Sequence, residues 1–332
     1  MEATYASGGS LVAGTDGILM AKEALMTYDW ASKGERIPAV GSGAPWLRVA
    51  PRGRVVKFPV EIEARGAGAA YSASVVPLDS HVLLQMAGHT AAGSFAGGSE
   101  KWTYTPFSGP PPYSSGFFSA YSRGQLWPIV GAYADFAFTL EKAGIPHFLF
   151  TVDGRLDVSP TDVAVPAITY NSTVFPPEGV GIALTIGSYT PGKVRKIEFK
   201  KKLSIHPRLD ISGPAPALGH IGFGVGRRDA ELIIELEEDT LTVAAPWSGA
   251  TTLNPYEMQA GGYGTLAAQP PTVNIAFTVG SVQYNKWTFT APQAFLIDVK
   301  EGKDGEAATV TLTYQLTTST PTANDDYNIV FN

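Results

Sequence analysis

The side chains that carry most protein chemistry are few and scattered in this sequence. Its five histidines stand singly, at His81, His89, His147, His206 and His220. A zinc site needs several such ligands at short spacings, and neither a His-x-x-x-His pair nor a suitable Glu spacing occurs. The sequence has no cysteine and no Gly-x-Ser-x-Gly motif, which removes thiol nucleophiles and a common hydrolase signature. We therefore predict no metal, no cofactor and no enzymatic activity.

One glycine cluster has the outline of a nucleotide site. Gly222, Gly224 and Gly226 alternate with Phe223 and Val225, as in part of a dinucleotide-binding loop. The third glycine is misplaced for that motif, and the surrounding sequence is rich in strand-forming residues. We interpret the cluster as an ordinary loop.

Composition favours an all-β protein. The 332 residues are enough for two domains of roughly 150 residues. The 36 glycines, 25 prolines and low charged fraction of 16% suit many short strands joined by turns. The net charge of −6 argues against a protein that grips nucleic acid by its phosphates. Neither a secretion signal nor a membrane-spanning run is apparent, so we expect a soluble product of the cytoplasm with no membrane partner.

A hairpin-like block occurs twice along the chain. Residues 136–140 and 148–152 alternate apolar and polar side chains around a glycine-bearing turn, and residues 295–299 and 309–316 do so again. The repeat predicts two tandem β-sandwich or barrel-like units, each with one short α-helix. We assign residues 1–50 to an N-terminal arm, 51–179 to the first unit with a linker at about 157–179, and 180–332 to the second unit.

Each predicted unit contains one helix signal. In residues 78–88, Asp79 is placed as the N-cap and Gly88 as the residue that ends the helix. In residues 254–261, Asn254 would be the N-cap and Gly261 the closing residue. Pro59, within the alternating residues 56–62, predicts that this strand lies near a sheet edge.

Several segments resemble the major tail tube proteins of long-tailed, siphovirus-like bacteriophages. The resemblance covers most of residues 75–331. It rests on the order and spacing of the segments 78–89, 102–106, 129–146, 147–156, 159–162, 291–305 and 325–329. It implies a virion structural protein that assembles with itself into stacked rings, which form a channel for DNA passage. Because single-unit members form six-subunit rings, two units per chain imply homotrimeric rings with pseudo-sixfold symmetry.

The resemblance also implies partners and a location. The partners would be further copies of the chain and the tape measure and tail-end proteins, while DNA passes without specific binding. The protein would be assembled in the host cytoplasm and reside in the virion tail. Two alternatives stay open, a baseplate or tail-tip subunit of related fold and a β-sandwich carbohydrate-binding module. The module would use aromatic side chains among Tyr113, Phe117, Phe118 and Tyr121.

Charged side chains suggest two kinds of assembly surface. Opposite patches on the two ends of a ring would set stacking polarity, whereas the alternative is cross-strand pairing within one sheet. The candidate patch residues are Lys193, Arg195, Lys196, Lys200, Lys201 and Lys202 on one side and Glu231, Glu235, Glu237 and Glu238 on the other. For a lumen wall that repels DNA phosphates, the candidate acids are Glu61, Glu63 and Glu198.

Overall fold

The structure is a computed structural model of the full chain. It describes residues 17–21, 35–37, 48–50, 55–107, 114–122, 124–141, 144–167, 173–187, 190–191, 193–209, 220–237, 272–305, 307–320 and 323–332. Within these ranges the chain forms eighteen strands and one α-helix, so the predicted all-β class is confirmed. No helix among these residues is long and apolar enough to cross a membrane.

The helix, α1, spans Ser80–Met86. The strands are β1 (Glu35–Ile37), β2 (Arg48–Ala50), β3 (Val55–Glu63), β4 (His89–Ser94), β5 (Lys101–Pro106), β6 (Gly116–Ser122), β7 (Gln125–Glu141), β8 (His147–Leu156), β9 (Thr161–Asp162), β10 (Ala183–Ile186), β11 (Val194–Lys200), β12 (Leu203–Leu209), β13 (His220–Arg228), β14 (Glu231–Glu237), β15 (Val273–Val279), β16 (Trp287–Asp304), β17 (Ala307–Leu316) and β18 (Asn328–Phe331). Strands β1 and β2 pair with each other, as do β12 and β13, and the rest form one large antiparallel sheet.

The large sheet folds into two layers. The front layer has the order β3-β8-β7-β11-β14-β17, and the back layer has the order β10-β15-β16-β18-β5-β4. Strand β16 belongs to both layers, because its first half pairs with β15 and β18 and its second half pairs with β17. The register shift after Leu296 is a bulge of the kind that bends a strand.

The core between the layers is rich in aromatic rings. Phe138 of the front layer lies 5.4 Å from Trp287 and 5.5 Å from Phe289 of the back layer, measured between ring centroids. Phe148 contacts Trp287, and Phe199 contacts Phe289. Alternation along the strands produces this core, since every second side chain points inward. Burial of these large rings is the main source of stability.

Both predicted hairpins are present. Phe136 lies opposite Phe150 in the β7–β8 pair, and Leu296 lies opposite Tyr314 in the β16–β17 pair. The strands are longer than the sequence pattern indicates, because β7 begins at Gln125 and continues through Pro128 and Gly131 into the predicted segment 136–140. Gly131 has a φ of 61°, and the register shifts between Val130 and Tyr133, so a bulge carries the strand past the interruption.

The two predicted units share one sheet and one core within the described residues. Strand β7 of the first unit pairs with β11 of the second, and β5 of the first pairs with β18 of the second. One hydrophobic cluster joins buried residues from both. The tandem division therefore stays a prediction, and the second helix, at 254–261, falls outside the described residues.

The structure confirms the N-cap position of Asp79 and corrects the prediction for the glycine cluster. Asp79 sits at the N-cap position with a φ of 57°, but its side chain makes no capping hydrogen bond, because its carboxylate pairs with Arg65 instead. The cluster Gly222–Gly226 is not a loop and lies within β13. A Cβ added at Gly224 would lie 2.3 Å from Nε2 of His206, so glycine here leaves room for the His206 ring on the neighbouring strand. Gly88, with a φ of 72°, follows the C-cap Ala87 and ends the helix as predicted.

Candidate assembly surface

Side chains on the outer side of the front layer form a broad polar surface, which we call the open face. Every second residue of β3, β8, β7, β11 and β14 points to it. Acidic side chains outnumber basic ones there. The acids are Glu61, Glu63, Asp135, Glu141, Asp153, Glu198, Glu231, Glu235 and Glu237, and the bases are Lys57, Arg155, Lys196 and Lys200, with Lys193, Arg195 and Lys202 reaching the same acids from the ends of the strands.

The predicted basic and acidic patches lie on adjacent strands. In the β11–β14 register, Lys196 is opposite Glu235 and Lys200 is opposite Glu231. Lys193 Nζ lies 3.0 Å from Glu237 Oε1, and this hydrogen bond lowers the pKa of Glu237. Arg195 also reaches Glu237 at 3.6 Å, and Lys202 pairs with Glu231. The structure thus contains the cross-strand pairing that the sequence left open as the alternative, while Glu238 is outside the described residues.

Lys201 does not lie on the exposed patch. It is 1% exposed, and its ammonium group donates a hydrogen bond to the carbonyl oxygen of Ala87 at the C-terminal end of α1. Burial, with Arg228 nearby, lowers the pKa of Lys201 to about 7. The sequence runs Lys200, Lys201, Lys202, and strand alternation turns the middle lysine inward. This residue is therefore removed from the candidate stacking surface.

The three candidate lumen acids lie on the same face. Glu61 Oε1 is 3.0 Å from His147 Nδ1, and Glu63 stands opposite His147 in the β3–β8 register. Glu198 lies 2.8 Å from the ammonium of Lys200 and 3.8 Å from that of Lys196. One sheet thus gathers residues that are far apart in the sequence.

Strand β3 is an edge of the front layer, as Pro59 predicts. Among the described strands it pairs only with β8. The Glu61 carbonyl turns away from β8 and accepts a 2.8 Å hydrogen bond from the Ala21 amide. Because backbone groups of every second residue in an antiparallel strand point the same way, Pro59 and Glu63 share this free edge. The edge is where a further strand would add.

A buried ion pair joins the segments that meet beside this edge. Arg65 Nη2 lies 2.8 Å from Asp79 Oδ2, and Arg65 Nη1 donates to the Val174 carbonyl at 3.2 Å. The other Asp79 oxygen accepts from the Leu19 amide at 3.4 Å. The sequence alone does not reveal this cluster. Its one signal was a charged residue, Arg65, directly after an apolar strand.

The histidines serve as hydrogen-bond partners. His81 Nδ1 lies 2.6 Å from the Tyr104 hydroxyl, and His89 bridges the Leu84 carbonyl and the Tyr327 hydroxyl. Burial lowers the pKa of both imidazoles, that of His89 strongly. Within the described part of the chain, no three His, Asp or Glu side chains group as metal ligands would. A cavity of about 250 Å³ beside His89 is lined by both polar and apolar residues, among them Gln85, Thr90 and Phe107.

No protein-family description matches the chain, and a search of curated proteins found no match.

The aromatic residues proposed for a carbohydrate module do not form an open platform. Phe117, Phe118 and Tyr121 on β6 are all half-buried. Phe118 packs against Phe58 with ring centroids 5.5 Å apart. Tyr113 lies outside the described residues. Sugar binding by stacking needs an exposed ring face, and the described members of this set are partly covered.

Proposed function

We propose that the protein is a structural subunit of a phage tail tube, which assembles with copies of itself into stacked rings around a channel. The observation that carries the proposal is the open face, a largely polar sheet surface with more acidic than basic side chains, which ends at the edge strand β3. Such a surface has the charge for a wall that DNA passes, and such an edge has the backbone groups for extension by another copy.

The wall would work by repulsion and rigidity. Carboxylates repel phosphates, and the candidate lumen acids Glu61 and Glu63 on the edge strand and Glu198 on β11 belong to this face. Ion pairs such as that of Glu198 with Lys200 hold the side chains along the sheet, so that they do not project from it. The antiparallel ladder beneath fixes the position of the wall, so the bore would keep a constant width.

In this proposal the partners are further copies of the chain, together with tape measure and tail-end proteins. DNA would pass through the channel without specific contacts to the protein. The place of action would be the virion tail, after assembly in the host cytoplasm. Homotrimeric rings follow only if the two halves act as equivalent units. Because the two halves share one hydrophobic core, the competing possibility is that the whole chain acts as one unit. The analogy with single-unit tubes then gives six chains per ring.

Electron microscopy of the purified, concentrated protein tests the proposal. Hollow rings or tubes formed without other components are expected, and end-on class averages would count the chains in each ring. A protein that stays monomeric at high concentration and on gentle heating would contradict the proposal. Glycan binding by that monomer would favour the carbohydrate module, and incorporation only at a tail tip would favour the baseplate subunit.

The ring-stacking role of the charged strands has a separate test. Because Lys201 is buried, the reversal is made at Lys200 and Lys202 only, as Lys200→Glu with Lys202→Glu. If these charges guide stacking, single rings should accumulate at the expense of tubes. Unchanged tubes would leave both lysines with the intrachain role that their pairs with Glu198 and Glu231 already give them.

A further inference from the structure

A polar cluster closes one end of the otherwise apolar core, beside the C-terminal end of α1. Its members come from four parts of the chain and are His89, Lys201, Arg228, Asp326 and Tyr327. Arg228 and Asp326 form a two-point ion pair at 2.8 and 2.9 Å, and Arg228 also donates to the Phe107 carbonyl. Hydrogen bonds between polar groups thus help to tie α1, β4 and β5 to this end of the core.

His89 is the member whose hydrogen bonds depend most directly on protonation. Its Nδ1 lies 2.8 Å from the Leu84 carbonyl, which can only accept, so Nδ1 carries the hydrogen. In a neutral imidazole the other nitrogen is then an acceptor, and the Tyr327 hydroxyl donates to Nε2 at 2.7 Å. We call these two bonds the His89 latch. They join the segment before β18 to the last turn of α1.

A second proton on His89 makes this arrangement impossible. Nε2 would then carry a hydrogen as well, and the Tyr327 hydroxyl could no longer donate to it. Tyr327 is fully buried, and its hydroxyl has no other hydrogen-bond partner among the residues that the structure describes. The hydroxyl hydrogen would be left buried without an acceptor, which is costly.

The charges around His89 also oppose the second proton. Burial, together with the like charges of Lys201 after β11 and Arg228 of β13, holds the pKa of His89 well below its ordinary value. The carboxylates of this region have other partners, because Asp326 is paired with Arg228 and Asp135 accepts from backbone amides. No carboxylate in the described part of the chain hydrogen-bonds to His89, so its charged form gains no counterion there.

We propose that the His89 latch is a pH-operated device, which holds α1 and β4 against the β18 segment at neutral pH and lets that corner open in acid. The corner is suited to move separately, because β4 pairs only with β5 among the described strands and α1 directly precedes it. Opening would uncover Leu84 and Met86, which are buried in the closed corner. The inference goes beyond the proposed function and does not depend on it.

The pH range of the opening follows from the two protonation states of His89. Its pKa is lower in the closed corner than in an open one, so closure is fully stabilised above about pH 6.5 and loses stability as pH falls toward the lowered pKa. Lys201 acts at higher pH, between its ordinary pKa of 10.5 and its closed value of about 7, so its effect is largely complete by then. The change below pH 6.5 is therefore assigned to His89.

Hydrogen exchange of the wild-type chain between about pH 6.5 and 5 tests the latch. The amides of Ala87 and Phe107, which donate to Leu83 and Gly88, report on the corner. After correction for the intrinsic pH dependence of exchange, their rates should rise about tenfold for each unit that pH falls. The Gly187 amide, beside the β10–β15 pair at the other edge of the back layer, should stay constant. Equal increases at all three amides would mean global acid unfolding, and no increase at Ala87 and Phe107 would mean a closed corner; either result would overturn the proposal.

A substitution then assigns the effect to the histidine. His89→Gln has no titratable group at this position, so the increase should disappear. His147→Gln, at a half-buried histidine on the open face, is the matched control and should keep the increase. Melting temperatures at pH 7 verify that both variants fold. Persistence of the increase in folded His89→Gln would overturn the role of His89, and if that variant does not fold, the wild-type exchange pattern decides alone.

Discussion

The two ends of α1 are closed by buried charges in opposite ways. At the N-terminal end, the Asp79 carboxylate and the Arg65 guanidinium neutralise each other at 2.8 Å. At the C-terminal end, the Lys201 ammonium binds a carbonyl oxygen, and no described carboxylate forms an ion pair with it. The nearest opposite charges, on Asp135 and Asp326, act on it from a distance.

The two ends of α1 together show what a buried charge requires. A cation near the C-terminal end of a helix is favoured by the helix dipole, but that attraction is small beside the cost of desolvating an ammonium group. A paired charge keeps its ionisation, whereas a charge held by a carbonyl alone shifts toward its neutral form. The N-terminal end of α1 is therefore held by an ion pair, whereas the charge at its C-terminal end, on Lys201, depends on pH.

The strongest test of the N-terminal end is Asp79→Ala. It leaves the Arg65 guanidinium, on a residue that is 2% exposed, without its carboxylate. We expect a loss of about 3–5 kcal/mol in the free energy of unfolding, measured by urea denaturation. Asp157→Ala, at an exposed aspartate, is the matched control and should change stability by less than about 0.5 kcal/mol. An equally small loss for Asp79→Ala would mean that the guanidinium finds other partners or water.

The corresponding test of the C-terminal end is Lys201→Met, which removes the ammonium and keeps most of the side-chain volume. Since this charge lacks an ion-pair partner, we expect stability to stay equal or to rise by about 1–3 kcal/mol. Chemical denaturation of the two proteins at pH 7 measures the difference. A loss above about 2 kcal/mol would show that the bond to Ala87 outweighs desolvation, and the contrast between the two helix ends would disappear.

Stability should rise with pH across the neutral range. The pKa of Lys201 falls from 10.5 to about 7 on folding, so between these values the unfolded chain binds the extra proton and stability increases with pH. The pKa of His89 is also lowered, so stability is lost as pH falls below about 6.5. Each group contributes a slope of up to about 1.4 kcal/mol per pH unit. Melting curves should show Lys201→Met losing the slope between pH 7 and 10 only.

The smallest expected effect is that of Gly88→Ala, next to the Lys201 contact. Gly88 has a φ of 72°, where an alanine is strained, so we expect a loss of about 1 kcal/mol in thermal denaturation. Gly97→Ala is the control, because nothing lies within 4 Å of its added methyl group. A larger loss for Gly88→Ala would indicate that the strain also disturbs Ala87 and its bond to Lys201.

Local patterns in the sequence predict strands well. Alternation finds β3, β8 and β14, and the turn residues find both hairpins, because these features depend on neighbours in the chain. The same reasoning misses β13, since its glycines look like a loop until the His206 ring is seen beside Gly224. The pairing of β7 with β11 is equally hidden, because register between distant strands is decided by packing.

The candidate surface, too, can be predicted from the sequence only in part. The charges of β11 and β14 are visible in sequence, but which lysine turns inward depends on strand phase, and Lys201 shows the difference. The Arg65–Asp79 pair leaves almost no trace, because an aspartate before a helix ordinarily indicates an N-cap. Its carboxylate turns to Arg65 because that guanidinium is buried beside it.

The placement of β18 has a consequence for the order in which the molecule folds. It lies between β16 and β5, with Phe331 opposite both Trp287 and Trp102. Among the described strands, β4 and β5 pair with the rest of the back layer only through β18, so this connection waits until β18 is synthesised, and the loop to be closed spans most of the chain. Such non-local contacts slow folding, so nascent chains would stay incomplete for longer and depend on chaperones more than a local meander would.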